Sequence, residues 1–213
     1  QKGIPEPSLQ NETTISWLPD YRFIAWKAGV YELTSTHTNL QKYIDNLPAS
    51  IPLKGTWTVR FPKNMGAPEE ITLTNLHSLH LEKNFGVRHF SGTMTYIYSL
   101  SLDDLYLQDN LRLRLDLGRV EVIAEVRVNG SIADTCWAPP YTTDIQHLLH
   151  KGDNEIEVRV TNLWVNRLIG DEHLPEENTY SYQPVSDKFS TLYNGGIEKL
   201  PDWYVQGKPK PLS

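Results

Sequence analysis

The residues most suited to chemistry lie in one run, Asn162-Leu163-Trp164-Val165-Asn166-Arg167-Leu168-Ile169-Gly170-Asp171-Glu172, in which Trp164 to Asp171 read as a loop leaving the last regular strand. It places a tryptophan, two asparagines, an arginine and an aspartate within ten residues. A flat aromatic face beside planar hydrogen-bonding groups suits a pyranose ring, which offers C–H faces and hydroxyls. The same residues suit a fold corner in which Arg167 pairs with Asp171 and Trp164 plugs the core. A second cluster, Trp137-Ala138-Pro139-Pro140-Tyr141, contains a stiff Pro-Pro step. That step can hold Trp137 and Tyr141 at a rim or simply turn a packed corner. The candidate carbohydrate-binding residues are therefore Trp137, Tyr141, Trp164, Asn166, Arg167 and Asp171.

Other reactive types form no recognisable site. His77 and His80, like His147 and His150, have i, i+3 spacing. Neither pair has the glutamate of a zinc-protease helix, and no cysteine pair completes a zinc centre. Surface histidine is the expected reading, and no metal or cofactor is expected. Cys136 is the only cysteine, so no disulfide closes within the chain, and a buried structural thiol is expected. No Gly-x-Ser-x-Gly elbow or phosphate-cradling glycine loop is present. The acidic pairs Asp103-Asp104, Glu69-Glu70 and Glu176-Glu177 fall in turns or linkers, where adjacent acids are solvated. No catalytic residue is assigned.

The elements that position these clusters are strands. Leu111 to Leu117 alternates leucine with charge, and Asn154 to Thr161 alternates likewise. From Thr93 to Leu102, Met94, Tyr96, Tyr98, Leu100 and Leu102 share a face, and Trp57, Val59 and Phe61 make a shorter example. Residues 121–137 read as a hairpin turning at Asn129-Gly130, both of which tolerate positive φ. A further strand pair is expected around Tyr21–Trp26 and Val30–Thr34, joined at Ala28-Gly29. Leu40–Leu47 and Asp144–His150 could each hold a turn or two of helix. Half-polar strands with turns between them indicate an antiparallel sandwich with wet outer faces. The periodicity stops after Thr161, and residues 170–213 read either as a functional arm or as a segment that packs on something outside this chain.

The 213 residues are 39% hydrophobic and 22% charged, which suits a folded chain. Twenty basic against 26 acidic residues give a net charge of −6, so no attraction to nucleic acid or anionic membrane is expected. No apolar run approaches the ~20 residues of a membrane span.

Three runs resemble the sugar-binding, galactose-binding-like jelly roll of family 2-type glycoside hydrolases. They are Leu115 to Val120, Ala124 to Gly130 with Trp137 to Tyr141, and Gly152 to Asn162. A closer resemblance is to the C-terminal region of the bacterial α-L-rhamnosidases of family 106. The matching segments, in order, are Gly55-Thr56-Trp57 with Phe61-Pro62, Phe90 to Thr93, and Asn162 to Asp171. A weaker echo lies at Pro201-Asp202-Trp203. The resemblance implies an all-β, galactose-binding-domain-like jelly-roll β-sandwich with irregular N- and C-terminal arms. The expected division is an N-terminal arm or remnant of an upstream β domain over 1–50, a galactose-binding-like sandwich over 51–172 and an extended segment over 173–213. Such enzymes carry their catalytic carboxylates in an upstream barrel, and nothing here looks like that barrel. The implied role is a noncatalytic accessory domain of a longer enzyme. Its expected partners are plant or bacterial polysaccharide, including rhamnose-containing polymers, and the catalytic domain of the parent chain. A periplasmic or extracellular setting follows from that resemblance. A stand-alone carbohydrate-binding module and a cell-envelope protein-interaction sandwich are the alternatives.

Overall fold

Alternating side chains dominate the computed structural model, which describes residues 15–18, 22–34, 39–174, 179–183 and 194–208. The chain divides into two units, Gln1–Pro52 with Gln108–Arg112, and Leu53–Leu107 with Leu113–Ser213. In the first unit β1 (Ile15–Trp17) pairs antiparallel with β2 (Phe23–Ala25), and β3 (Gly29–Thr34) pairs with β4 (Asn39–Ile44). This corrects two expectations. The segments flanking Ala28-Gly29 are strands, but each pairs with a different neighbour and not with the other. Leu40 to Ile44 is extended, because a full ladder with β3 satisfies its backbone groups.

The second unit is built on a six-stranded antiparallel sheet. Its members are β5 (Trp57–Arg60), β6 (Glu70–Leu73), β7 (Thr93–Leu102), β9 (Ile123–Val128), β10 (Ser131–Cys136) and β12 (Gly152–Thr161). The spatial order is β10-β9-β12-β7-β5-β6. A short helix, α1 (Phe85–Arg88), lies between β6 and β7. The pair β8 (Arg114–Asp116) and β11 (Thr142–Asp144) forms a separate two-stranded sheet. Beyond β12 come α2 (Val165–Glu172), the antiparallel pair β13 (Thr179–Gln183) and β14 (Asn194–Lys199), and α3 (Asp202–Val205). The segment expected to be extended over 173–213 therefore contains two strands and one short helix among its described residues. Glu176-Glu177 lies outside the described residues.

The period-two pattern sets the register. Ile156 sits between Tyr98 and Val128, and Val158 between Tyr96 and Val126. One face of the sheet thus carries a continuous apolar surface. Ile156, Val126 and Val128 are fully buried there, packed with Leu115 of β8 and with Ile145. Each such side chain contributes about 1.5–3 kcal/mol through burial. A second cluster around Trp57, Val59, Phe61, Val87 and Phe90 lies under the α1 excursion, with Phe61 edge-on to Phe90. The opposite face of the sheet is polar. There Glu125 accepts from Arg127 at 2.8 Å and from Arg159 at 3.2 Å, and these hydrogen bonds hold its carboxyl below the usual range. The result is an all-β sandwich, as the alternation predicts.

The hairpin forms where the sequence places it. Asn129 and Gly130 have φ of 51° and 79°, the mirror-image turn that matches strand twist. The Asn129 amide also fastens this turn to the one before β12. Its Nδ2 donates to Leu148 O and to Asn154 Oδ1, both at 2.9 Å. Asn154 is buried and fully occupied. Its Oδ1 also accepts from His150 N, and its Nδ2 donates to the carbonyls of His150 and Gly152.

The strand expected over residues 111–117 is shorter than its alternation suggests. Only Arg114 to Asp116 ladders, because β11 offers just three partners. Leu113 and Leu117 still pack against the core on either side of buried Leu115. The helical turn expected in 144–150 is a single 3₁₀ turn at Gln146–Leu148.

Candidate functional site

Strand register gathers both chemical clusters at one end of the sheet. Thr161, the last residue of β12, pairs with Thr93 on one side and Ile123 on the other. Cys136, the last residue of β10, pairs with Ala124. The segments after β12 and β10 therefore leave from the same end, two inter-strand spacings apart, or about 10 Å.

The run after β12 is not the expected loop. Residues 165–172 form α2. The helical signal was present, since Trp164, Val165, Leu168 and Ile169 recur at i, i+1, i+4 and i+5. The helix begins without a capping side chain of its own, because Trp164 occupies the cap position. Ser91 supplies the missing acceptor. Its buried Oγ accepts from the Arg167 N–H at 3.0 Å, an N–H that has no intrahelical partner in the first turn.

Three further contacts anchor the helix to the sheet end. Asn162 Oδ1 accepts from Gly92 N at 2.8 Å, and its Nδ2 donates to Phe90 O at 2.9 Å. Gly170 is buried against His89, where a Cβ would lie 2.6 Å from the His89 Cβ. His89 is itself buried, with its ring on Phe85 and its Nδ1 at 3.1 Å from the Phe85 carbonyl. Arg167 Nε donates to Asp171 Oδ1 at 2.9 Å, an i, i+4 pair whose arginine is only 14% exposed. Of the residues that seat α2, Ser91, His89 and Gly170 were not candidates in the sequence. The glycine in mid-helix was the one visible signal, since it costs helix propensity and so demands a packing reason.

The structure thus divides the six candidates. Arg167 and Asp171 pair with each other, as the corner reading requires. Trp164 does not plug the core, as that reading also required. It is 68% exposed. Asn166 is half-buried on the same helix. Trp137 is 74% exposed at the end of β10, while Tyr141 packs against the main core and its carbonyl accepts from Leu117 N. The Pro-Pro step therefore separates the two aromatics, one facing out and one packed inward. The arrangement offers two exposed indoles and a half-exposed amide, held on firmly anchored backbone.

Other reactive groups are accounted for elsewhere. Cys136 is buried, and burial together with Asp134 pushes its thiol up. Asp104 meets Lys151, Glu69 meets Lys63, and Glu70 meets Arg60 on the surface. His77 contacts Glu82. Among the described residues no group of three or more His, Cys, Asp or Glu is placed to hold a metal ion. No described helix is long and apolar enough to cross a membrane.

Comparison with known proteins places this architecture. A rhamnosidase from Novosphingobium sp. PP1Y aligns over 74% of the chain at 32% identity with a TM-score of 0.56. The domain is related to glycoside hydrolases. A curated protein of Formosa agariphila, provisionally assigned as a β-glucuronidase, is 36% identical over 168 residues, or 79% of the chain. A β-D-glucuronidase from Dictyoglomus thermophilum covers 68% of the chain at 19% identity, with a TM-score of 0.44 that bears no argument. The chain spans 13% of the Formosa protein and 17% of the Novosphingobium enzyme. No family model matches it.

Proposed function

We propose that this chain is a noncatalytic, carbohydrate-associated accessory domain of an α-L-rhamnosidase-like glycoside hydrolase. The observation that carries this reading is the pose of Trp164. A large indole stands exposed on a helix that four separate contacts hold in place. An indole held this way gives a sugar C–H face a prepaid platform, since little freedom is lost on binding. Trp137 at the same sheet end adds a second platform, and Asn166 supplies donors and an acceptor. Arg167 and Asp171, engaged with each other, position the helix for that task. The likeness to a rhamnosidase supports the substrate class. The wider enzyme's catalytic carboxylates would lie outside this domain, a reading supported by Glu69, Glu70 and Asp104, which meet Lys63, Arg60 and Lys151 on the surface.

The test is hydrolysis. The purified 213-residue chain should release no aryl alcohol from an aryl α-L-rhamnoside, whereas the longer enzyme proposed to contain it should. Turnover by the short chain, lost on changing a single carboxylate within it, would overturn the reading.

A further inference from the structure

The hairpin turn between β9 and β10 lies at the end of the sheet away from Trp164. There Asn129 precedes Gly130, and the glycine has no side chain to shield its backbone nitrogen from the asparagine amide. In an asparagine of this kind the following nitrogen can attack the side-chain Cγ. Three hydrogen bonds from distant segments hold the same amide. Its Nδ2 donates to Leu148 O and to Asn154 Oδ1, both at 2.9 Å, and its Oδ1 accepts from Glu155 N at 3.0 Å. Ring closure needs the amide to turn and Nδ2 to leave, and each of these breaks the latch.

We propose that Asn129 is a deamidation site gated by this latch, closed in the folded chain and reactive when the turn before β12 lets go. In the reaction Gly130 N gives up its proton and bonds to Cγ. The Cγ–Nδ2 bond breaks, and the amide nitrogen leaves as ammonia with that proton. Water then opens the cyclic imide to aspartate or isoaspartate, and no other co-reactant is needed. The product cannot re-form the latch. A carboxylate has no proton to give Leu148 O, and it would face Asn154 Oδ1, which is itself an acceptor and already takes the His150 N–H. Isoaspartate also adds a methylene to the backbone of a tight turn in which Asn129 has φ of 51°. One opening that ends in reaction therefore separates the two turns for good.

The chain carries its own reference, a second Asn-Gly step at Asn194-Gly195. Trypsin places the two steps in separate peptides, 128–151 and 189–199, with no other asparagine in either. The 213-residue chain is incubated at mildly alkaline pH, folded and in urea, and the conversion of amide to acid in each peptide is followed by mass spectrometry. In urea both asparagines should convert at similar rates. In the folded chain Asn129 should convert slower than in urea by about tenfold or more, since the latch must open first. Asn154→Ala removes one latch partner and should restore most of the lost rate while circular dichroism still reports the sandwich. If that variant unfolds, the parent chain in urea below its unfolding transition replaces it, and Asn129 conversion should rise there before the fold is lost. A folded-chain rate equal to the rate in urea overturns the proposal. So does an Asn154→Ala rate as slow as the parent's, or a parent rate that rises only with global unfolding.

Discussion

Gly170→Ala tests the seating of α2 through the sign of its effect. In an exposed helix interior, replacing glycine with alanine stabilises by about 1 kcal/mol through propensity. Here the new Cβ would lie 2.6 Å from the His89 Cβ and 2.8 Å from its Cγ. The His89 Cβ cannot swing aside as a flexible chain end would, because it is fixed to backbone. The ring beyond it is held by Phe85 at a centroid distance of 4.3 Å. Relief therefore requires α2 to move off the sheet end, which strains the Ser91 and Asn162 contacts. Overpacking of this kind costs about 1–3 kcal/mol. The propensity gain offsets about 1 kcal/mol of that and leaves a net effect between about zero and a loss of about 2 kcal/mol. Urea denaturation of the 213-residue chain, followed by tryptophan fluorescence, measures it. A gain of about 1 kcal/mol would mean that Gly170 stands free of His89, and the docked helix would be refuted.

Two other substitutions probe the sandwich itself. Asn154→Ala removes four hydrogen bonds from a buried amide. At about 0.5–1.5 kcal/mol each, the loss should be about 3 kcal/mol, read as a lowered denaturation midpoint. A change below 0.5 kcal/mol, the size of an ordinary surface substitution, would deny the latch. Tyr96 gives a pH signature. Burial raises its phenol from 10 to about 12. The unfolded chain thus loses that proton near pH 10 while the folded chain keeps it. The stabilisation is complete below pH 10 and falls by about 2 kcal/mol as the pH rises to 12. Tyr96→Phe should remove that share of the alkaline slope, and identical slopes in both proteins would contradict the assignment.

The sandwich was legible because its core strands bury one face. Residues 93–102 and 154–161 alternate cleanly, and the ladder then follows from the pleat. The hairpin was legible because Asn-Gly has a strong local preference. Partner choice was not legible near the chain start. Alternation says that Phe23–Ala25 and Gly29–Thr34 are extended, but only tertiary packing decides that they pair with β1 and β4. The site was half legible. Trp164 and the Arg167–Asp171 pair stood out by type. The loop assignment missed α2 because the helix is two turns long and its apolar side faces out, so its stripe was not tied to any core. Ser91, His89 and Gly170 escaped notice because their roles come from contacts more than 70 residues apart in sequence.

The most direct test of the proposed sugar-facing role is Trp164→Ala in the longer α-L-rhamnosidase-like enzyme proposed above, with kcat/KM on a rhamnoside substrate and the stability of the 213-residue variant measured together. An exposed stacking platform predicts a fall in kcat/KM of about tenfold, equivalent to 1.4 kcal/mol, with stability changed by less than 0.5 kcal/mol as for surface positions. An unchanged kcat/KM, or a stability loss of several kcal/mol such as a core aromatic shows on truncation, would contradict the account.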